Sequence, residues 1–190
     1  MGKWFLVALI ATVLMAQAQW VLLPEPDFST RAICWTIPQA KNTVLWPVRI
    51  VNSELVGLDL DTTRDETLTR QGIVEEARTE ASKLLSKATI SYERDGRNII
   101  KYAVITSEDP RTSACVFAPD FRKKFHETIG PDPVVLIPNR FTVYVFPRSM
   151  APLTELSEQA FIDYRSSAFP VSREIFQVTK DGIVAIGKVK

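Results

Sequence analysis

Three times between Ala88 and Gly187, two short apolar runs flank a tight turn, and this repetition does more than any other feature to limit the possible folds. The pairs are Ala88–Glu93 with Asn98–Thr106 about Asp95-Gly96, Val134–Ile137 with Phe141–Phe146 about Pro138-Asn139, and Glu174–Thr179 with Ile183–Gly187 about Lys180-Asp181-Gly182. A turn of a few residues can only join antiparallel neighbours, so each pair predicts a β-hairpin, the first with a primed turn at Asp95-Gly96. The run from Phe141 to Phe146 is apolar on both faces, with Phe141, Val143 and Val145 on one and Tyr144 and Phe146 on the other. A strand covered on both sides belongs at the centre of its sheet. Ser113–Phe117 reads as a further strand.

Helical spacing separates these hairpins. Ile73, Val74, Ala77, Ala81, Leu84, Leu85 and Ala88 recur three and four residues apart, which predicts a helix from Arg64 to about Lys87 with a capping box at Thr63 and Glu66. Its other face carries Glu66/Arg70, Glu75/Arg78 and Glu80/Lys83, spaced to pair in water. Pro119 opens a short second helix with Phe121, Phe125 and Ile129 on one stripe, stopped by Gly130-Pro131. Thr154 caps a third, with Leu156, Ala160 and Tyr164 aligned. Hairpins interspersed with about three helices indicate an α+β domain with a mainly antiparallel sheet; the alternative is an α/β fold with a mixed or parallel sheet.

Ahead of these elements, Pro24, Pro26 and Pro38 punctuate residues 19–43, which therefore read as an extended arm against a single globular domain at 44–190. Val44–Val51 is β-branched with Pro47 in its middle, the mark of an edge or bulged strand, and Leu55–Leu60 is its expected neighbour. Residues 1–18 stand apart. Lys3, an apolar run from Trp4 to Met15, and Ala16-Gln17-Ala18 form the pattern of a cleavable export signal, too short to span a bilayer. The mature chain is expected to begin at Gln19 and to work in a periplasm or outside the cell. It would keep 22 basic and 22 acidic residues, a balance that favours neither nucleic acid nor an anionic membrane surface.

Two cysteines in an exported chain suggest one structural disulfide. Cys34 and Cys115 lie 81 positions apart, and closing so long a loop would stabilise the fold by roughly 4 to 5 kcal/mol on the chain-entropy model. Other chemistry is thinly represented. Cys34-Trp35, His126 and Asn139 follow the order of a papain-like nucleophile, base and orienter, but Thr36-Ile37-Pro38 cannot start the helix that would activate Cys34. Asp59-Leu60-Asp61-Thr62-Thr63 resembles the nucleophile loop of haloacid-dehalogenase-like phosphatases, yet no later Gly-Asp-x-x-x-Asp segment supplies the magnesium-binding acidic pair. One histidine and two distant cysteines give no zinc spacing, and no glycine loop for phosphate or cofactor is present.

The remaining candidates are cationic. Arg122-Lys123-Lys124 beside Phe121 and Phe125, and Arg140 and Arg148 flanking the most apolar strand, are placed to meet an anion or partner, or to serve as solvated and edge-protecting charges. The sequence thus points to a non-catalytic exported domain that contacts an envelope protein or peptide-like ligand, with the arm and edge strand as docking edges. A small envelope hydrolase using Cys34, or the Asp59/Asp61 pair, is the alternative.

Overall fold

The computed structural model describes residues 19–27, 33–52, 54–59, 68–150 and 154–189, except the side chains of 150 and 154–157. Two antiparallel sheets enclose the main core, in keeping with the α+β reading. The smaller sheet has β3 (Thr43–Val51) at its centre, with β1 (Val21–Pro26) along one side and β2 (Trp35–Thr36) and β4 (Glu54–Gly57) along the other. The larger runs β10 (Ile183–Lys188), β9 (Glu174–Val178), β7 (Pro133–Asn139), β8 (Thr142–Pro147), β6 (Ile100–Thr106), β5 (Thr89–Arg94). All three expected hairpins are present, and β8 lies in the middle of its sheet.

Both faces of that central strand are buried. Val143 and Val145 join Val135, Ile137 and Phe176 in the main core, while Tyr144 and Phe146 join Val134, Leu136 and Ala160 under helix α3 (Thr154–Ser166). Helix α1 (Arg70–Lys87) seals the main core with Ile73, Ala77, Ala81, Leu84 and Leu85. It packs on β1 and on a 3-10 helix at Thr112–Phe117. The short α2 (Phe121–His126) adds the fully buried Phe121 and Phe125.

Several local expectations give way, each for a physical reason. β3 is central rather than an edge. The Pro47 carbonyl accepts from the Leu58 amide, so its nitrogen faces the same flank, where β2 stops opposite Leu45 and β4 opposite Val48. Proline's missing donor falls in that gap, and no ladder bond is lost. The arm does lie extended against the core, and part of it joins the smaller sheet: β1 is buried along its whole length and pairs with β3 from Val21↔Val48 to Pro26↔Thr43.

Ser113–Phe117 belongs to the 3-10 helix rather than a strand, since a short apolar run has no period that tells the two apart. Pro119 sits in the turn ahead of α2, whose cap position is Asp120. α1 begins at Arg70, because Thr69 is extended and its hydroxyl accepts from the Gly72 amide. The Thr63/Glu66 box lies outside the described residues.

Two turns also shift. The Asp95 carboxylate accepts from the amides of Arg97 and Ile99, and Asn98 takes the positive φ of 65°. This makes a three-residue loop in place of a primed turn at Asp95-Gly96. The β7–β8 reversal falls at Arg140-Phe141, because β7 continues through Pro138 to Asn139 with an irregular register.

Two buried polar clusters lock the sheets together. Arg140, 7% exposed at the β7–β8 turn, donates from Nε to Glu25 Oε1 of β1 at 2.6 Å. Its backbone amide donates to the Phe169 carbonyl, and its carbonyl accepts from the Ser113 amide. Glu174 of β9 is 4% exposed and accepts from the amides of Lys41 (2.7 Å) and Asn42 (3.3 Å) and the hydroxyl of Thr43 (2.6 Å). Buried carboxylates persist only with such partners.

Candidate functional site

Where the smaller sheet, α1 and the β9–β10 turn converge, they leave a cleft of about 550 Å³. Its floor is apolar: Leu22 of β1, Trp35 of β2, Leu45 of β3, Val74 of α1, and Val116 and Phe117 of the 3-10 helix. Trp35 pairs with Leu45 across β2 and β3, which sets these two side by side, and α1 packed on β1 and the 3-10 helix brings Val74 towards them. The β9–β10 turn forms a wall. Gly182 holds φ at 143°, Thr179 donates its amide to the Gly182 carbonyl at 2.7 Å, and Lys180 and Asp181 are thereby placed at the mouth.

The rim is cationic. Arg70, Arg78, Arg122, Lys123 and Lys180 line the cleft, with Asp181 as the one carboxylate among the described lining residues. Three of these cations are held in place. The Arg70 guanidinium lies 4.7 Å from the centre of the Trp35 ring. Arg78 donates from a terminal nitrogen to the Lys180 carbonyl at 2.6 Å, and Arg122 donates to the Pro131 carbonyl at 3.1 Å and Asp132 Oδ1 at 3.3 Å. A ring face or carbonyl fixes Arg70 and Arg78 without cancelling their charge, whereas the Asp132 carboxylate partly offsets that of Arg122.

The expected cationic residues part company here. Arg122 and Lys123 belong to the cleft, whereas Lys124 is exposed on α2 and is not among its lining residues. Arg140 is removed from surface chemistry by burial against Glu25, with the Phe169 and Trp46 rings 5.0 and 6.0 Å from its guanidinium carbon. Arg148 is engaged locally, donating to Gln177 Oε1 at 2.9 Å. Arg70 and Arg78 were missed. They flank Val74 at four-residue intervals, so all three share one helix face, a pattern hidden when charge is assigned to water and valine to core.

Cys34 and Cys115 remain two thiols, against the expected disulfide. Cys115 is fully buried in the 3-10 helix against α1 and β1. Cys34 instead precedes β2, at the side of β3 opposite β1, while Cys115 lies in the 3-10 helix. Burial pushes the Cys115 thiol far above its ordinary range, leaving it an inert core group.

The papain-like order is likewise not assembled. The exposed His126 ring faces Glu127 at 3.4 Å, while the Asn139 amide donates to the Asp163 carbonyl and its oxygen accepts from the Phe141 amide. Asp59 is exposed after β4, and Asp61 lies outside the described residues.

The charged face of α1 also holds a surprise. Glu80, expected in water, is buried and meets Arg111 at 3.2 Å as well as Lys83 at 3.1 Å. Burial raises the Asp109 carboxyl, but side-chain and backbone hydrogen bonds from Arg111 outweigh it and hold the group below the usual carboxylate value. This trio ties α1 to the loop before the 3-10 helix and so supports the cleft wall. Among the described residues, no helix is long and apolar enough to cross a membrane, and no cluster of histidine, cysteine and carboxylate side chains could hold a metal. No protein family, curated protein or solved structure matches this chain.

Proposed function

We propose that the protein is a non-catalytic binding domain of the exported class, and that its ligand occupies the cleft between α1, β2 and the β9–β10 turn. The single observation carrying this reading is the lining itself. An apolar hollow of about 550 Å³ is of the size that takes a small molecule or the end of a larger one, roughly 300 to 1,000 Å³. Its described lining offers threonine hydroxyls and one carboxylate but no serine, cysteine or histidine. Such a surface supplies burial and charge, the means of binding.

Of the arm and the Val44–Val51 strand expected as docking edges, the latter is β3, paired along both sides, and β1 of the arm is buried along its length, so the proposed site is this cleft instead. The test uses N-phenyl-1-naphthylamine, a neutral dye that brightens on leaving water. One dye should bind per chain, and Val74→Trp, which fills the floor from α1, should abolish the signal while preserving the circular dichroism spectrum. Failure of the dye to bind, or equal binding by the filled variant, overturns the reading.

A further inference from the structure

We infer that the cleft recognises a single-chain amphiphile with an anionic head, its apolar tail on the floor and its carboxylate or phosphate among the rim cations. The inference rests on the cleft being a ligand site and adds the chemistry of what enters it. Charge complementarity selects this occupant. A chain with 23 basic and 22 acidic residues is electrically balanced as a whole, yet among the described lining residues five cations meet one carboxylate, and even with the Asp132 carboxylate that pairs Arg122 the mouth keeps an excess of positive charge. Such a local excess attracts anions in a way the molecule's net charge does not.

The cations come from three separate segments: Arg70 and Arg78 from α1, Arg122 and Lys123 from α2, and Lys180 from the β9–β10 turn, with Trp35 of β2 beneath Arg70. Their convergence is therefore a product of tertiary folding rather than of one basic run. Arg78 illustrates the arrangement. Its bond to the Lys180 carbonyl joins α1 to the turn across the mouth and orients the guanidinium, while both residues keep their positive charge. A head group then meets donors that are already ordered, which lowers the entropic cost of binding.

The floor sets the other half of the specificity. Leu22, Leu45, Val74 and Val116 are aliphatic and Trp35 and Phe117 aromatic, so a tail gains by leaving water. A free inorganic anion would have only the exposed rim, and a neutral tail only the floor.

The test displaces bound N-phenyl-1-naphthylamine from the purified protein with decanoate, decyl phosphate, decanol or decyltrimethylammonium, each below its micellar concentration. Decanoate or decyl phosphate should compete at least about tenfold better than decanol, the difference expected when a charge-assisted hydrogen bond is added to an apolar contact. The cation should compete worst. Raising the salt concentration should weaken the anions and leave decanol unchanged.

The paired variant Arg70→Gln/Lys123→Gln, both positions exposed, should narrow the anion preference severalfold, read as the ratio of decanoate to decanol competition so that a change in dye affinity cancels. Which anion binds better identifies the head group. Equal competition by anion and alcohol overturns this inference and leaves the cleft reading standing. Absence of dye binding removes both.

Discussion

Arg140→Met should be the most damaging substitution of an expected surface residue in this protein. The side chain is 9% exposed, the Glu25 carboxylate it contacts at 2.6 Å is 5% exposed, and the bond joins β1 of one sheet to the β7–β8 turn of the other. Methionine retains much of the stem that packs near Phe169 and Trp46 but removes the cation. Breaking a buried ion pair from one side costs about 3 to 5 kcal/mol. At about 2 to 4 °C per kcal/mol for a chain of this size, the melting temperature should fall by roughly 6 to 20 °C.

Urea unfolding followed by both tryptophan fluorescence and circular dichroism would give the free energy, with coincident curves licensing a two-state fit. The double variant Glu25→Leu/Arg140→Met should recover much of the loss, because desolvation of both charges is then avoided. A loss below about 1 kcal/mol for Arg140→Met, the range of solvated pairs, would refute the claim that this pair is buried and joins the sheets.

Three other outcomes follow from the same geometry. A Cβ on Gly57 would overlap the Trp46 indole, so Gly57→Ala should destabilise by about 1 to 3 kcal/mol in urea titration; an unchanged midpoint would contradict the close approach. In native protein, a thiol reagent should modify the half-buried Cys34 and spare the fully buried Cys115 until denaturant is added; equal rates, or two blocked thiols that only a reductant frees, would contradict the arrangement. The depressed Asp109 pKa contributes stability above the unfolded value near about pH 4, lost as pH falls through the folded value. Asp109→Asn should therefore be less stable than wild type at pH 7 and draw towards it as the pH falls below about 4; a constant gap on acidification would sink the assignment.

The hairpins were legible because they are local, with alternation and a turn lying within some twenty residues of sequence. The two-sided burial of β8 was legible for the same reason. What escaped depends on pairing at a distance. Glu25, between two prolines in an apolar stretch, acquires its role only when Arg140 arrives from 115 positions away. Val116 and Phe117 resemble a strand until α1 covers them as a 3-10 helix. Pro47 argues for an edge unless the gap between β2 and β4 is known.

The cleft was half visible. Arg122 and Lys123 could be singled out as a basic run, but Arg70, Val74 and Arg78 had been divided between wet and dry faces of one helix, and Lys180 lay in a turn. Apolar residues with cations one helical turn to either side are the sequence signal of a rim above a floor.

Intact mass of protein recovered from its host would test the export reading, with a chain starting at Gln19 as the expected product and retention of Met1 contradicting it. The central claim is tested most directly by following backbone and indole amide resonances of the labelled protein during a decanoate titration. The largest shifts should gather at Trp35, Val74, Phe117 and Gly182 and saturate together. Shifts centred instead on the exposed β5–β6 hairpin, or none at all, would contradict a ligand site in the cleft.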